Sequence, residues 1–120
     1  MPIRIQRKRT RGWKTPLCTC GCGKPAIYVG RPTRWGNPWH VGGTGWLVRR
    51  GGLIDRKPHP PLTLKQAVES FRNSVEWQIK QDPEYLSELR GHDLVCWCPP
   101  GQACHATALL ELANQGGEQL

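Results

Sequence analysis

Six of the 120 residues are cysteines, and they fall into two tight groups: Cys18, Cys20 and Cys22, then Cys96, Cys98 and Cys104. Thiols this crowded dictate local backbone geometry. They pair as disulfides, chelate a metal, react, or pack as small apolar groups. The N-terminus is basic, but no apolar core of a signal peptide follows it. We therefore expect a cytoplasmic, reducing setting, where a disulfide framework is disfavoured and metal ligation or thiol chemistry is favoured. An exported chain with this even count would permit disulfides.

Glycine and proline number 14 and 11, so much of the chain must be turn and loop. The length suits one domain with one core. No apolar run approaches the roughly 18 residues of a spanning helix, so no membrane partner is expected.

Charge is divided unevenly. Residues 1–54 hold eleven Lys or Arg and no Asp or Glu, and the whole chain carries a net +8. Such a segment repels itself and calls for an anionic partner or free solvation. The densest stretch is Arg4, Arg7, Lys8, Arg9, Arg11 and Lys14, with Trp13 among them. Basic groups interleaved with an aromatic suit phosphates and a stacked base, so a nucleotide or nucleic acid is the expected partner. The plainer reading of residues 1–14 is a solvated basic arm.

The periodicities predict strands over residues 2–7, 26–29, 46–48 and 93–98. Thr63 and Gln66 form a capping-box pattern ahead of a helix. Its apolar stripe is Leu64, Ala67, Val68, Phe71, Val75 and Ile79. Asp82-Pro83 predicts a second, short helix ending near Gly91. A third should run from about Ala103 to Asn114, with a frayed tail over 115–120. The expectation is a single α/β domain of about four strands and three helices with a loop-rich N-terminal half. In such folds ligands gather where strands end and helices begin.

Three segments can carry chemistry. Cys96 and Cys98 share one side of a strand, and Cys104 and His105 open the last helix. These four suit a Cys3His zinc site. Alternatively, Cys104 at a helix N-terminus is a reactive thiol, and Cys98, Cys104 and His105 form a reactive end with Cys104 or His105 as nucleophile or acid/base. Burial as packing groups is the third reading. Cys18, Cys20 and Cys22 lie among glycines and lack a fourth ligand. His40, His59 or the 96–105 group are the candidates to supply it, while His92 alone is a weak signal. About one zinc per chain is expected. Last comes the loop Gly30-Arg31-Pro32-Thr33-Arg34-Trp35-Gly36-Asn37-Pro38-Trp39-His40. Arg31 and Arg34 suit phosphate, Trp35 or Trp39 suit a base, and Asn37 suits an amide or sugar edge. The rival reading is a structural corner in which Asn37 bonds its own backbone and Trp35 caps the core. If the strands before this loop and before Cys98 run parallel, the two loops should rise at one sheet edge and share a pocket. No carboxylate pair is present, so two-metal phosphoryl transfer and carboxylate-pair hydrolysis find no support.

The segments IYVGRPTRWGNPW, LRGHDLVCWCPPGQACHATALLELAN and RIQRKRTRGWK together resemble a family of small phage and bacterial proteins known as domain of unknown function 4326. The resemblance spans nearly the whole chain. It implies a compact α/β fold with Arg34, Trp35, Asn37, Pro38, Cys96, Cys98, Cys104 and His105 as its signature, and it implies no activity. Residues 18–24 stand apart as a cysteine-rich insertion. A phage origin would place the chain in a host cytoplasm, where a host protein is a further conceivable partner.

Overall fold

In a computed structural model, which describes residues 2–114 except 32, 58 and 100, the chain forms five strands in two sheets and two α-helices. The tail expected to fray lies outside the described residues.

The main sheet has the order β1–β5–β2, built from β1 (Arg4–Gln6), β2 (Ile27–Tyr28) and β5 (Leu94–Cys96). Both pairings are parallel: Ile5 and Tyr28 each lie opposite Val95. Central parallel strands are covered on both faces, and Leu94, Val95 and Cys96 are all buried accordingly. Because all three strands run the same way, their following segments leave from one edge.

A second sheet is the antiparallel hairpin of β3 (Leu47–Arg49) and β4 (Leu53–Asp55). The expected third strand therefore joins a separate ribbon rather than the main sheet. Its partner β4 escapes the sequence pattern because Leu53 and Ile54 are exposed, leaving no alternation to read.

Helix α1 (Leu64–Gln81) starts as its capping box dictates. The Gln66 amide donates to Thr63 Oγ1 at 3.2 Å, and the Thr63 amide donates to Gln66 Oε1 at 2.9 Å. Ala67, Phe71 and Val75 are buried on the predicted stripe, while Trp77 lies off it and is exposed. Ser70 and Asn73 fasten the hairpin: the Val48 amide donates to Ser70 Oγ, and Asn73 Nδ2 donates to Val48 O. Helix α2 (His105–Asn114) buries Ala106, Ala108, Leu109, Leu110 and Ala113.

The short middle helix expected after Pro83 is not formed. Asp82 caps the C-terminus of α1, and the segment tightens only into a 3-10 turn at Ser87–Leu89. Two helices and a turn replace the expected three. Leu86 and Leu89 are both buried, and Gly91 turns the chain away at φ +80°. Spacing of three satisfies a 3-10 turn, and the stretch to Gly91 is too short to propagate an α-helix. Among the described residues no helix is long and apolar enough to cross a membrane.

Candidate metal centre and ligand cleft

The two ends of β5 carry different constellations. Ahead of it stand His92 and Asp93. A loop from Leu17 to Pro25, closed by an antiparallel bridge between those two residues, brings the first three cysteines beside them. His92 Nδ1 lies 3.6 Å from Cys18 Sγ, 3.5 Å from Cys20 Sγ and 4.0 Å from Cys22 Sγ. All four donor atoms fall within 4.8 Å of one another. Zinc bonds of about 2.3 Å to sulfur and about 2.0 Å to nitrogen put tetrahedral sulfur and nitrogen ligands roughly 3.5 Å apart. The set can therefore hold a metal ion with little movement. Gly21 and Gly23 both take positive φ, which lets the loop curl its sulfurs inward.

The residue placed to be a fourth ligand is His92, rather than His40, His59 or the 96–105 group. His40 Nδ1 faces Val41 O and His59 Nδ1 faces Pro60 O. No spacing rule flags His92, which reaches the loop only through the sheet register.

Asp93 is the joint between this loop and the sheet. It is fully buried. Its carboxylate accepts from the Thr19 amide at 2.8 Å, the Thr19 hydroxyl at 3.0 Å and the Ile3 amide at 3.0 Å. Burial opposes its ionisation, but these donors outweigh that and hold the carboxyl below its ordinary range. The Asp93 amide also donates to Cys18 Sγ at 3.3 Å. Burial works against the Cys18 thiolate too, yet the amides of Asp93 and Cys20 bring the thiol below its usual value. The Lys24 amide does the same for Cys22. Cys20 is pushed up to about 11 by sharing its proton with Cys18 and Cys22.

At the other end of β5, three segments emerge together. Tyr28, Gly30, Arg31, Asn37, Trp39 and His40 from the first loop line one cleft of about 420 Å³ with Trp97, Cys98, Cys104 and His105. The parallel arrangement thus brings the two loops to a common site. Gly30 is required there, since a Cβ would collide with the Tyr28 ring, and a Cβ on Gly36 would come within 3.1 Å of Arg31.

Within the loop the roles divide. Asn37 is buried and fully used: Nδ2 donates to Ala67 O and Oδ1 accepts from the Trp39 amide. Trp35 is buried edge-on against Tyr85, with Arg34 lying 4.3 Å over its ring and reaching Glu88. Arg34 and Trp35 are not among the residues lining the cleft. They form the structural corner. Arg31 does line it, its Nε donating to Asn37 O. Trp39 is buried, with Nε1 donating to Trp46 O.

The rim is aromatic and basic. Trp97 is 38% exposed and donates to the Tyr28 hydroxyl. Arg7 stacks over both Tyr28 and Trp97, and Arg9 stacks over Trp97 at 4.7 Å. The first basic residues are therefore folded onto the rim; Arg7 is pinned by its amide to Cys96 O. Sequence reasoning passed over Tyr28, although its position beside Gly30 at a strand end was visible.

Cys98 and Cys104 line the floor with Cys96 buried behind them, and the three sulfurs lie within 4.8 Å of one another. Cys96 Sγ is 3.2 Å from Cys104 Sγ, and the Ala106 amide donates to Cys104 Sγ at 3.4 Å. Its bond to Cys104 and its burial push the Cys96 thiol far above the usual range. Cys104 is lowered by that same bond, against its burial. His105 stands outside the sulfur triad. Its Nε2 donates to Val29 O at 2.8 Å, which fixes the tautomer and leaves Nδ1 facing Cys104 Sγ at 3.9 Å. Burial keeps the ring neutral by lowering its pKa.

The family model described as Domain of unknown function (DUF4326) matches residues 5–115. No curated protein and no solved structure matches the chain.

Proposed function

The chain belongs to the family described as Domain of unknown function (DUF4326), and on that premise we propose that it is a metal-stabilised domain whose cleft binds one nucleotide unit, free or within a nucleic-acid strand. The observation that carries this reading is the cleft itself. Arg31, Tyr28 and Trp97 meet there with space of about 420 Å³, the size of a small-ligand site. Arg31 suits a phosphate and the exposed Trp97 face suits a base. Arg7 and Arg9 extend positive charge along the rim, where a strand would continue. Any reaction on the ligand falls to Cys98, Cys104 and His105, the reactive groups it would meet. Zinc is the ion that best fits three thiols and one imidazole in the first cluster. We place the working chain in a reducing cytoplasm, where its six cysteines stay unpaired as they are here.

A second reading, a non-enzymatic binding module, is favoured by the first cluster, whose four donors would fill the coordination of a zinc ion and leave no position for chemistry.

Fluorescence titration of the metal-loaded protein tests the proposal, with a mononucleotide, a short single-stranded oligonucleotide and inorganic phosphate as probes. We expect saturable quenching that Trp97→Phe removes and that Arg31→Ala weakens about tenfold or more. If the mononucleotide binds as well as the strand, the ligand is free. If only the strand binds, and steeply with salt, the ligand is nucleic acid. No response to any probe at low salt overturns the reading.

A further inference from the structure

The three sulfurs on the cleft floor repeat the design of the first cluster. In both, two cysteines flank one residue: Cys18 and Cys20, Cys96 and Cys98. In both, a third cysteine follows a short turn, and a backbone amide donates to a buried sulfur: Asp93 to Cys18, Ala106 to Cys104. Amides aimed at sulfur favour thiolates, the form that binds metals.

Charge points the same way. Three thiolates around a divalent ion leave one negative charge. Arg4 supplies the compensation, with Nη1 3.8 Å from Cys96 Sγ. Its guanidinium is locked there by the carbonyls of Cys98 and Pro99, at 3.3 and 3.1 Å. A guanidinium held against a buried sulfur has little to gain from a neutral thiol.

The clusters differ in one ligand. The first has His92. The second has no fourth donor within 4.8 Å of all three sulfurs among the described residues: His105 falls outside that group, its Nδ1 lying 3.9 Å from Cys104 Sγ. Cys96 is buried behind, while Cys98 and Cys104 line the cleft.

We infer that Cys96, Cys98 and Cys104 form a second ion site, which takes zinc or a similarly soft divalent ion through three thiolates and leaves its fourth position open to the cleft. As the ion binds, each of the three sulfurs that is still protonated gives its one proton to solvent, the proton between Cys96 and Cys104 included. The fourth position accepts water or a small oxygen, nitrogen or sulfur donor. This site stands on its own residues and does not depend on the nucleotide reading.

The test is metal content and cobalt spectroscopy on untagged protein. Elemental analysis should find about two ions per chain in the wild type and about one in Cys98→Ser. With cobalt in place of zinc, added imidazole should shift the visible bands of the wild type by entering the open position. Cys98→Ser should lose that shift and keep the bands of the first cluster. Should Cys98→Ser not fold, the wild-type ion count and imidazole response decide alone. About one ion per chain, with Cys98 and Cys104 titrating as free thiols, overturns the inference. So does a full complement in Cys98→Ser, or a cobalt spectrum indifferent to imidazole.

Discussion

The two cysteine clusters sit at opposite ends of one three-residue strand and are built differently. The N-terminal cluster surrounds its centre with three thiols and an imidazole, on a loop that has almost no core of its own: Cys20 and Cys22 are exposed, and only Cys18 is buried. The C-terminal cluster has only three sulfurs, two of them buried, and it rests on β5 and the start of α2, which the core already holds. A glycine-rich loop without apolar contacts needs an ion to have a shape at all. A site embedded in a packed edge keeps its shape without one and is free to leave a position unfilled. The surroundings, more than the residue types, separate a staple from a site.

Removing a ligand from each cluster should expose this difference most strongly. His92→Ala should lower the melting temperature by roughly 10 °C or more, because the loop and the Asp93 joint lose their anchor. Cys98→Ser should lower it by no more than about 5 °C, since the half-exposed thiol adds little packing. Calorimetry on both variants, with and without a chelator, reads the contrast. Equal losses would erase the distinction.

The next effect concerns Asp93, which links the first cluster to the sheet. Asp93→Asn removes the charge that three donors share and should destabilise by about 2–3 kcal/mol in urea unfolding. It should also release the first ion faster to a chelator, while leaving the cleft's ligand affinity intact. A variant that loses cleft binding in step with stability would show that the two ends of β5 are one unit.

Smaller effects divide the loop before the cleft. Asn37→Ala strands the Trp39 amide and Ala67 carbonyl and should cost about 1–3 kcal/mol. Arg34→Ala breaks an exposed contact with Glu88 and stacking faces on Trp35 and Tyr85, and should cost under about 1 kcal/mol. Neither belongs to the proposed ligand contacts, so Arg34→Ala should leave mononucleotide titration unchanged. A tenfold loss there would restore Arg34 as a phosphate ligand.

These contrasts follow how far the sequence could be read. Helix α1 was legible because its capping box and its stripe lie within the segment itself. The shared cleft was legible because parallel strands force their exits to one edge. His92 was not, since its relation to Cys18 exists only through β5 and the bridge closing the loop. Strand β4 was not, because its exposed Leu53 and Ile54 carry no periodic burial. Arg34, Trp35 and Asn37 have the chemistry of a binding loop, but packing spends Trp35 on Tyr85 and Asn37 on backbone groups. Arg31, two residues beyond Val29, lines the cleft together with Asn37, whereas Arg34 and Trp35 do not.

Anomalous diffraction at the zinc edge from crystals of the purified protein tests the central claim most directly. We predict two peaks at opposite ends of β5. One is bounded by Cys18, Cys20, Cys22 and His92. The other is bounded by Cys96, Cys98 and Cys104, with its fourth position toward the cleft and His105 Nδ1 not bonded to the ion. A vacant first cluster in a folded chain, or a second ion closed off by His105, would contradict the division of labour between the two clusters.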